Sequence, residues 1–202
     1  TIDSADNLVF QNGNGADAIA LNSAGAAIFS AVDDITFGTN YTLTATAGNT
    51  TIDADTDNAG SGVVTLDAVT ATGRTLSVTG SDFAIAAAVA ADVIEFNASA
   101  AAGTIGVGHT NFVTAELNFI TPTTSLEFAA GGDIEVQSLA VTGGGENVAQ
   151  IPHLILDSAA DVKFTTGAST AVRLTVEADV DVDFNIATST SAGNLVATAD
   201  FE

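Results

Sequence analysis

The chain has 202 residues, 47% of them apolar, and carries 25 acids against 3 basic residues, for a formal charge of −22. That balance argues against nucleic acid, whose binding needs Lys and Arg to neutralise phosphates, and equally against anionic lipid. Cys is absent, which removes disulfides and thiol chemistry, and no apolar run approaches the ~20 residues of a membrane helix, so no membrane insertion is expected.

The first residues, "TIDSADNLVF", include no Met and no charged, apolar leader. They read as a processed product, signal peptide removed, located outside the cell or on its surface. A period-two pattern then dominates, with apolar residues flanking one variable position. It predicts short strands at Ile35–Phe37, Val64–Leu66, Leu76–Val78, Phe83–Ile85, Ile94–Phe96, Ile105–Val107, Leu117–Phe119, Leu126–Phe128 and Ile134–Val136. Others follow at Leu154–Leu156, Val162–Phe164, Leu174–Val176 and Val182–Phe184. Gly, Asn, Asp, Ser or Thr punctuate them, as tight corners require.

A repeat emerges near the C-terminus. "HLILDSAADVKFTTGASTAV" (His153–Val172) aligns without a gap on "RLTVEADVDVDFNIATSTSA" (Arg173–Ala192). Leu154 meets Leu174, Asp161 meets Asp181 and Phe164 meets Phe184. "NLVATADFE" begins a third copy one residue late, and "SLEFAAGGDIEV" (Ser125–Val136) has the same spacing upstream. The clearest repeats thus span 125–202, interrupted by residues 143–152, whose Gly143–Gly145 run predicts a projecting loop.

A period near twenty means that no unit buries its apolar side alone, whereas stacked units share one core. The fold expected is all-β: a parallel β-solenoid of roughly 20-residue coils, forming a single elongated domain over 1–202. About ten coils at the ~4.8 Å strand spacing would make a rod of roughly 50 Å. The alternative built from many short strands is a β-sandwich or jelly roll.

The Thr-, Ala-, Gly-, Asn- and Asp-rich texture of "YTLTATAGNTTIDAD" and "GSGVVTLDAVTATGRTLSVTGSDFAI" resembles the right-handed parallel β-helices of filamentous-haemagglutinin-type and autotransporter passenger proteins. The resemblance covers about Tyr41 to Glu202 and has no diagnostic motif, so it transfers no site residue. It implies a bacterial surface protein engaged in adhesion or cell contact.

Chemistry-bearing residues are few. Asp53, Asp55 and Asp57 in "DADTDNAGSG" match the first three ligand positions of an EF-hand. Asn58 then stands where Gly is required and Val64 where the bidentate Glu belongs, which rejects that motif. A looser Ca²⁺ cage remains one reading, an acidic corner capping its own backbone the other. In "EADVDVDFNI", Asp179, Asp181 and Asp183 share one strand face. The repeat sets Asp181 beside Asp161 and Asp183 beside Lys163, so Asp161 and Asp181 form a second candidate cation pair. His109 and His153 lack metal-binding spacing, and no nucleophile elbow or phosphate loop occurs. Sequons at Asn40, Asn49 and Asn97 are candidate glycosylation sites.

With no capping helix in sight at either end of the repeats, Leu8, Val9 and Phe10 are expected to meet Leu195, Val196 and Phe201 of another copy. The function expected is a secreted structural subunit polymerising head to tail into an extracellular filament or surface layer, its partner being copies of itself. The alternative is an adhesin segment binding a cell-surface partner or surface glycans through one solenoid face. A polysaccharide-active enzyme ranks third, because one Tyr, no Trp and three basic residues make a poor sugar groove.

Overall fold

A computed structural model describes residues 1–10, 19–38, 41–101, 103–140 and 146–200. Asn40, Gly143–Gly145 and Phe201 lie outside the described residues. Coil one comprises β1 (Ile2–Ser4), β2 (Leu8–Phe10) and β3 (Ile19–Ser23); coil two comprises β4 (Ala27–Ala31), β5 (Ile35–Phe37) and β6 (Tyr41–Ala45). Coil three uses β7 (Thr50–Ala54), β8 (Val63–Leu66) and the first half of β9 (Ala68–Gly80). The second half of β9 opens coil four, which passes through β10 (Asp82–Ile85) into β11 (Val89–Ala98). Coil five runs from β11 through β12 (Ile105–Val107) and a one-turn helix α1 (Thr114–Leu117) into β13 (Ile120–Ala130). Coil six continues with β14 (Ile134–Gln137), β15 (Leu139–Ala140) and β16 (Glu146–Asn147). Coil seven is β17 (Leu154–Ser158), β18 (Asp161–Thr166) and β19 (Ser169–Ala171). Coil eight is β20 (Leu174–Ala178), β21 (Asp181–Phe184) and β22 (Thr188–Thr190), and β23 (Leu195–Ala199) begins a ninth.

Most coils place one strand on each of three faces, while in coil six β15 and β16 pair with each other in parallel. The first face reads β1-β4-β7-β9-β11-β13-β17-β20-β23. The second reads β2-β5-β8-β10, then β12-β14-β18-β21. Neighbouring strands pair in parallel, coil upon coil. This is a parallel β-solenoid. A sandwich would instead show antiparallel hairpins.

The strands form where residues alternate between core and solvent. In β7, Thr50, Ile52 and Ala54 are buried while Thr51 and Asp53 face out. Inward residues stack on their equivalents one coil away. Val78, Phe96, Phe128, Leu156 and Val176 make one such column, all fully buried. Each large side chain so buried stabilises the fold by about 1.5–3 kcal/mol. The last inward position of a first-face strand is small, as at Ala31, Ala54, Ala130, Ser158 and Ala178. The chain turns there, and Ser158 helps by donating to the Gly132 carbonyl (2.8 Å) and accepting from the Ala160 N–H.

The predicted repeat is seen directly. Leu154 pairs Leu174, Asp161 pairs Asp181, Phe164 pairs Phe184, and Leu195 pairs Leu174 one residue late. Elsewhere the coil length varies. Phe96 pairs Val78 eighteen residues back and Phe128 thirty-two residues on. The strands keep register while the corners absorb the difference.

Two predicted elements are corrected. Leu117–Phe119 is not a strand. Leu117 ends α1, which the Glu116 carboxylate closes by accepting the Val113 N–H (2.9 Å) and the Ile85 N–H (3.3 Å). The segment 146–152 does not project: Val148 and Ile151 are buried in the core.

Coil five also carries an extra half-rung. After β12, the chain turns at Gly108 (φ +89°) and comes back so that Phe112 bridges Val107 in parallel. Phe112 stacks on Phe83 of β10 at 5.0 Å and sits edge-on to Phe96 and Phe128 at 4.7 Å each. Asn111 joins both sides, donating to the Ser81 carbonyl and accepting from the Gly106 N–H. The inserted residues thus fill the gap between β10 and β12 that divides the second face.

Column position sets the cost of truncation. Phe164 is fully buried and Phe184, stacked on it at 5.1 Å, is 42% exposed. Phe164→Ala should cost about 3–5 kcal/mol in urea unfolding, and Phe184→Ala less than about half of that. Equal losses would contradict this dependence on burial.

Candidate functional site

The acidic stretch after β7 resolves into three different residues. Asp53 points outward from the strand. Asp55 is 1% exposed and adopts a positive φ of 87°. Its Oδ1 accepts the Ala59 N–H and its Oδ2 the Gly60 N–H, both at 2.7 Å. Asn58, at φ 57°, completes the turn. Gly62 then returns against the backbone so closely that a Cβ would lie 2.6 Å from the Asp55 nitrogen. Asp57 stays exposed in the loop and accepts the Ala59 N–H at 3.2 Å.

This is a corner capped by its own carboxylate, not three carboxylates converging on an ion. Among the described residues, no group of three or more His, Cys, Asp or Glu could hold a metal ion. Burial pushes the Asp55 carboxyl up. The nearby Ser99 hydroxyl, which has no partner within hydrogen-bond distance, and the Gly60 and Ala59 amides outweigh that effect. The net pKa lies below the ordinary value. Asp53 shifts the other way, raised by burial and then by the charge of Asp55.

The second acidic set is partly in the expected place. Asp161 and Asp181 pair in register, as do Lys163 and Asp183. Lys163 nevertheless turns away from Asp183. Its Nζ reaches Asp133 Oδ2 at 2.5 Å and Asp161 Oδ2 at 2.9 Å, which raises its pKa. Asp161 Oδ2 is thereby paired with a lysine that it shares with Asp133, and its buried Oδ1 has no hydrogen-bond partner. Asp179 is not on the strand. It lies in the corner, where its N–H donates to the Ser158 carbonyl, and the next residue, Val180, is 54% exposed.

A further acidic pair, Glu95 and Glu127, is not evident in the sequence, whereas Asp157 beside Glu177 follows from the twenty-residue repeat. Glu95 and Glu127 pair on the outside of the first face, and Asp157 pairs Glu177 two rungs on. Burial raises the Glu127 pKa, with smaller contributions from Glu95, Asp157 and Glu177. The signal was available only with the register, because coil five separates Glu95 from Glu127 by thirty-two residues.

His153 and Arg173 occupy equivalent repeat positions. An Arg173 N–H donates to His153 Nδ1 at 2.7 Å, so Nε2 carries the proton that goes to Thr175 Oγ1 at 2.8 Å. Burial and then Arg173 lower the pKa of this imidazole, which is a structural tie. Of the sequons, Asn49 is exposed and its Oδ1 accepts the Thr75 N–H at 3.4 Å. Asn97 donates from Nδ2 to Ser77 Oγ at 3.1 Å within the sheet.

The expected assembly residues divide by direction. Leu8 and Phe10 point inward at the first rung of the second face, packed against the core, and Val9 between them is 48% exposed. Leu195 points inward at the last rung of the first face, and Val196 points outward. The similar stretches Asn7–Phe10 and Asn194–Ala197 therefore sit on different faces. Among the described residues, β1 and β23 each have one neighbour on the first face, and β2 and β21 one on the second. Ile2 (41%), Phe184 (42%) and Leu195 (40%) are exposed although their column partners Phe29, Phe164 and Leu174 are buried. An apolar cavity of about 200 Å³ opens at the first rung among Ile2, Leu21, Ile28, Phe29 and Leu43. Ile2 and Phe184 were missed in the sequence, although the repeat alignment had already set Phe184 beneath Phe164. No family model matches this chain, and no curated protein or solved structure matches it.

Two carboxylates should move stability in opposite directions. The folded pKa of Asp55 is lowered, so its contribution is complete above the unfolded value of about 3.9 and is lost as pH falls through the folded value. Asp55→Asn should therefore destabilise by about 1–3 kcal/mol at pH 7, the gap to wild type closing in acid unfolding experiments as pH falls through the folded pKa. The folded pKa of Glu127 is raised, so its ionised form opposes folding above that value. Glu127→Gln should stabilise by about 0.2–1 kcal/mol at pH 7, and thermal scans should show the gain vanish once both states are protonated.

Proposed function

We propose that the chain is a structural subunit that assembles end to end, its last coil docking on the first coil of another copy, to build an extracellular filament or surface layer. The observation that supports this most is the state of the terminal rungs. Core columns that are buried throughout the stack end on exposed Ile2, Phe184 and Leu195. Sheet edges with free N–H and C=O groups template further strands, and apolar cross-sections of a core gain from being covered. Both ends also present the same type of aromatic stack: Phe10 on Phe37 at 4.8 Å and Phe184 on Phe164 at 5.1 Å. A contact between unlike ends is heterologous and does not close, so it propagates as a fibre.

Sedimentation and negative-stain electron microscopy of residues 1–202 over rising concentration test this reading. Fibres are expected at about 10–100 µM, the range where moderate interfaces associate. Phe184→Asp and Leu195→Asp should abolish them while leaving the circular dichroism of the fold unchanged. A chain that remains monomeric across that range, with and without CaCl₂, would refute the proposal.

A further inference from the structure

The two outermost strands of the first face cover their neighbours unequally. β1 pairs only Phe29, Ser30 and Ala31 of the five-residue β4. β23 pairs all five residues of β20, from Leu174 to Ala178. Ala27, which β1 leaves uncovered, belongs to an inward column that passes Thr50, Leu76 and Ile94 and continues to Leu174 and Leu195. β1 places no residue in that column. The cavity of about 200 Å³ at the first rung is lined by Ala27 itself, together with Ile2, Leu21, Phe29 and Leu43. At the far end of the same column, Leu195 is 40% exposed.

The order of the faces adds a second constraint. The chain climbs from the first face to the second and third in turn, and β1 and β23 both lie on the first. Copies stacked with β1 on β23 would keep the first face continuous. The second and third faces would then each lack one layer, about 4.8 Å thick, between β21 and β2 and between β22 and β3. Val182 and Phe184 would face that gap rather than a neighbouring strand. Copies stacked with β21 on β2 and β22 on β3 leave room for a single strand on the first face, between β20 and β4. β23 and β1 compete for that place.

We propose that β23 of one copy takes the place of β1 beside β4 of the next copy, and that β1 is released. This rests on the end-to-end reading above and names the strand that joins the copies. β23 is the better occupant, because it covers Ala27 to Ala31 in full, five residues against three. Leu195 enters the cavity at Ala27 and continues the column it already ends. Ala197 lies on Phe29 in place of Ile2, and Ala199 on Ala31, which keeps a small residue at the corner position. Val196 and Thr198 fall opposite Ile28 and Ser30 on the outer side. On the second face Phe184 meets Phe10, which already stacks on Phe37 at 4.8 Å. The released β1 gives up little: an Ile2 that is 41% exposed and the bond that Ser30 Oγ donates to Asp3 at 2.8 Å. Main-chain bonds along an added strand supply affinity, and the pockets for its alternate side chains supply register.

Cysteine pairs test the exchange without background, because the chain has no Cys. Ile28→Cys with Val196→Cys changes two exposed positions that stand directly opposite each other once β23 lies on β4. Their Cα atoms would be about 4.8 Å apart, within disulfide reach. In one copy they lie at opposite ends of the stack, so a disulfide between them joins two copies. Mild oxidation of fibres should give a ladder of covalent multimers on non-reducing gels. Thr1→Cys with Val196→Cys would link instead if β1 stayed in place on β23, and should give about tenfold less multimer. Ile2→Asp weakens β1 in its own place, so fibres should form at a several-fold lower concentration. Fibres in which the Ile28–Val196 pair fails to link, preferential linkage of the Thr1–Val196 pair, or loss of fibres in Ile2→Asp would overturn the exchange and leave the end-to-end reading standing. A wild-type chain that forms no fibres would overturn both.

Discussion

Everything in this molecule depends on parallel strand pairing in register from one coil to the next. The pairing fixes each side chain above its counterpart, so a position is either a core column or a surface row along the whole stack. Columns such as Val78–Phe96–Phe128–Leu156–Val176 need only shape compatibility between neighbours. No Trp or Met is required to fill a distant gap, which explains how a chain so rich in Ala supports a continuous core. The same rule acts on the surface, where it also stacks like charges. Glu95 on Glu127 and Asp157 on Glu177 are consequences of register rather than independent features.

The electrostatic arrangement follows from how few cations are available. Three basic residues serve 25 acids, and two of the three are committed internally. Lys163 bridges Asp133 and Asp161, and Arg173 donates to His153. Asp55 is satisfied without a cation at all, by two backbone amides within its own loop. Acids that belong to corners are thus bound into the backbone, while those on flat faces remain solvated and mutually repulsive.

What could be read beforehand was the part governed by short periods. Alternation placed twelve of its thirteen segments on strands, all on the first and second faces, and left out others such as β4 and the third-face strands β3, β6, β19 and β22. The gapless repeat from His153 to Ala192 carried the register of coils seven and eight. Leu117–Phe119 misled because an apolar pair around one residue also fits a single helical turn, and the deciding group, Glu116, acts on Ile85 thirty-one residues away. The burial of Asp55 was not legible because the alternation of β7 stops at Ala54, where the backbone then enters a positive φ.

The half-rung formed by Phe112 can be viewed as an edge dislocation in a one-dimensional crystal. On the first face one rung advances between β9 and β11, while on the second an additional partial layer is wedged between β10 and β12. A dislocation lets two lattices of unequal layer count share one boundary, with the misfit confined to a small region. Here the packing of Phe83, Phe96, Phe112 and Phe128 fills that region. Coils of unequal length on either side therefore keep strand register across one aromatic seam.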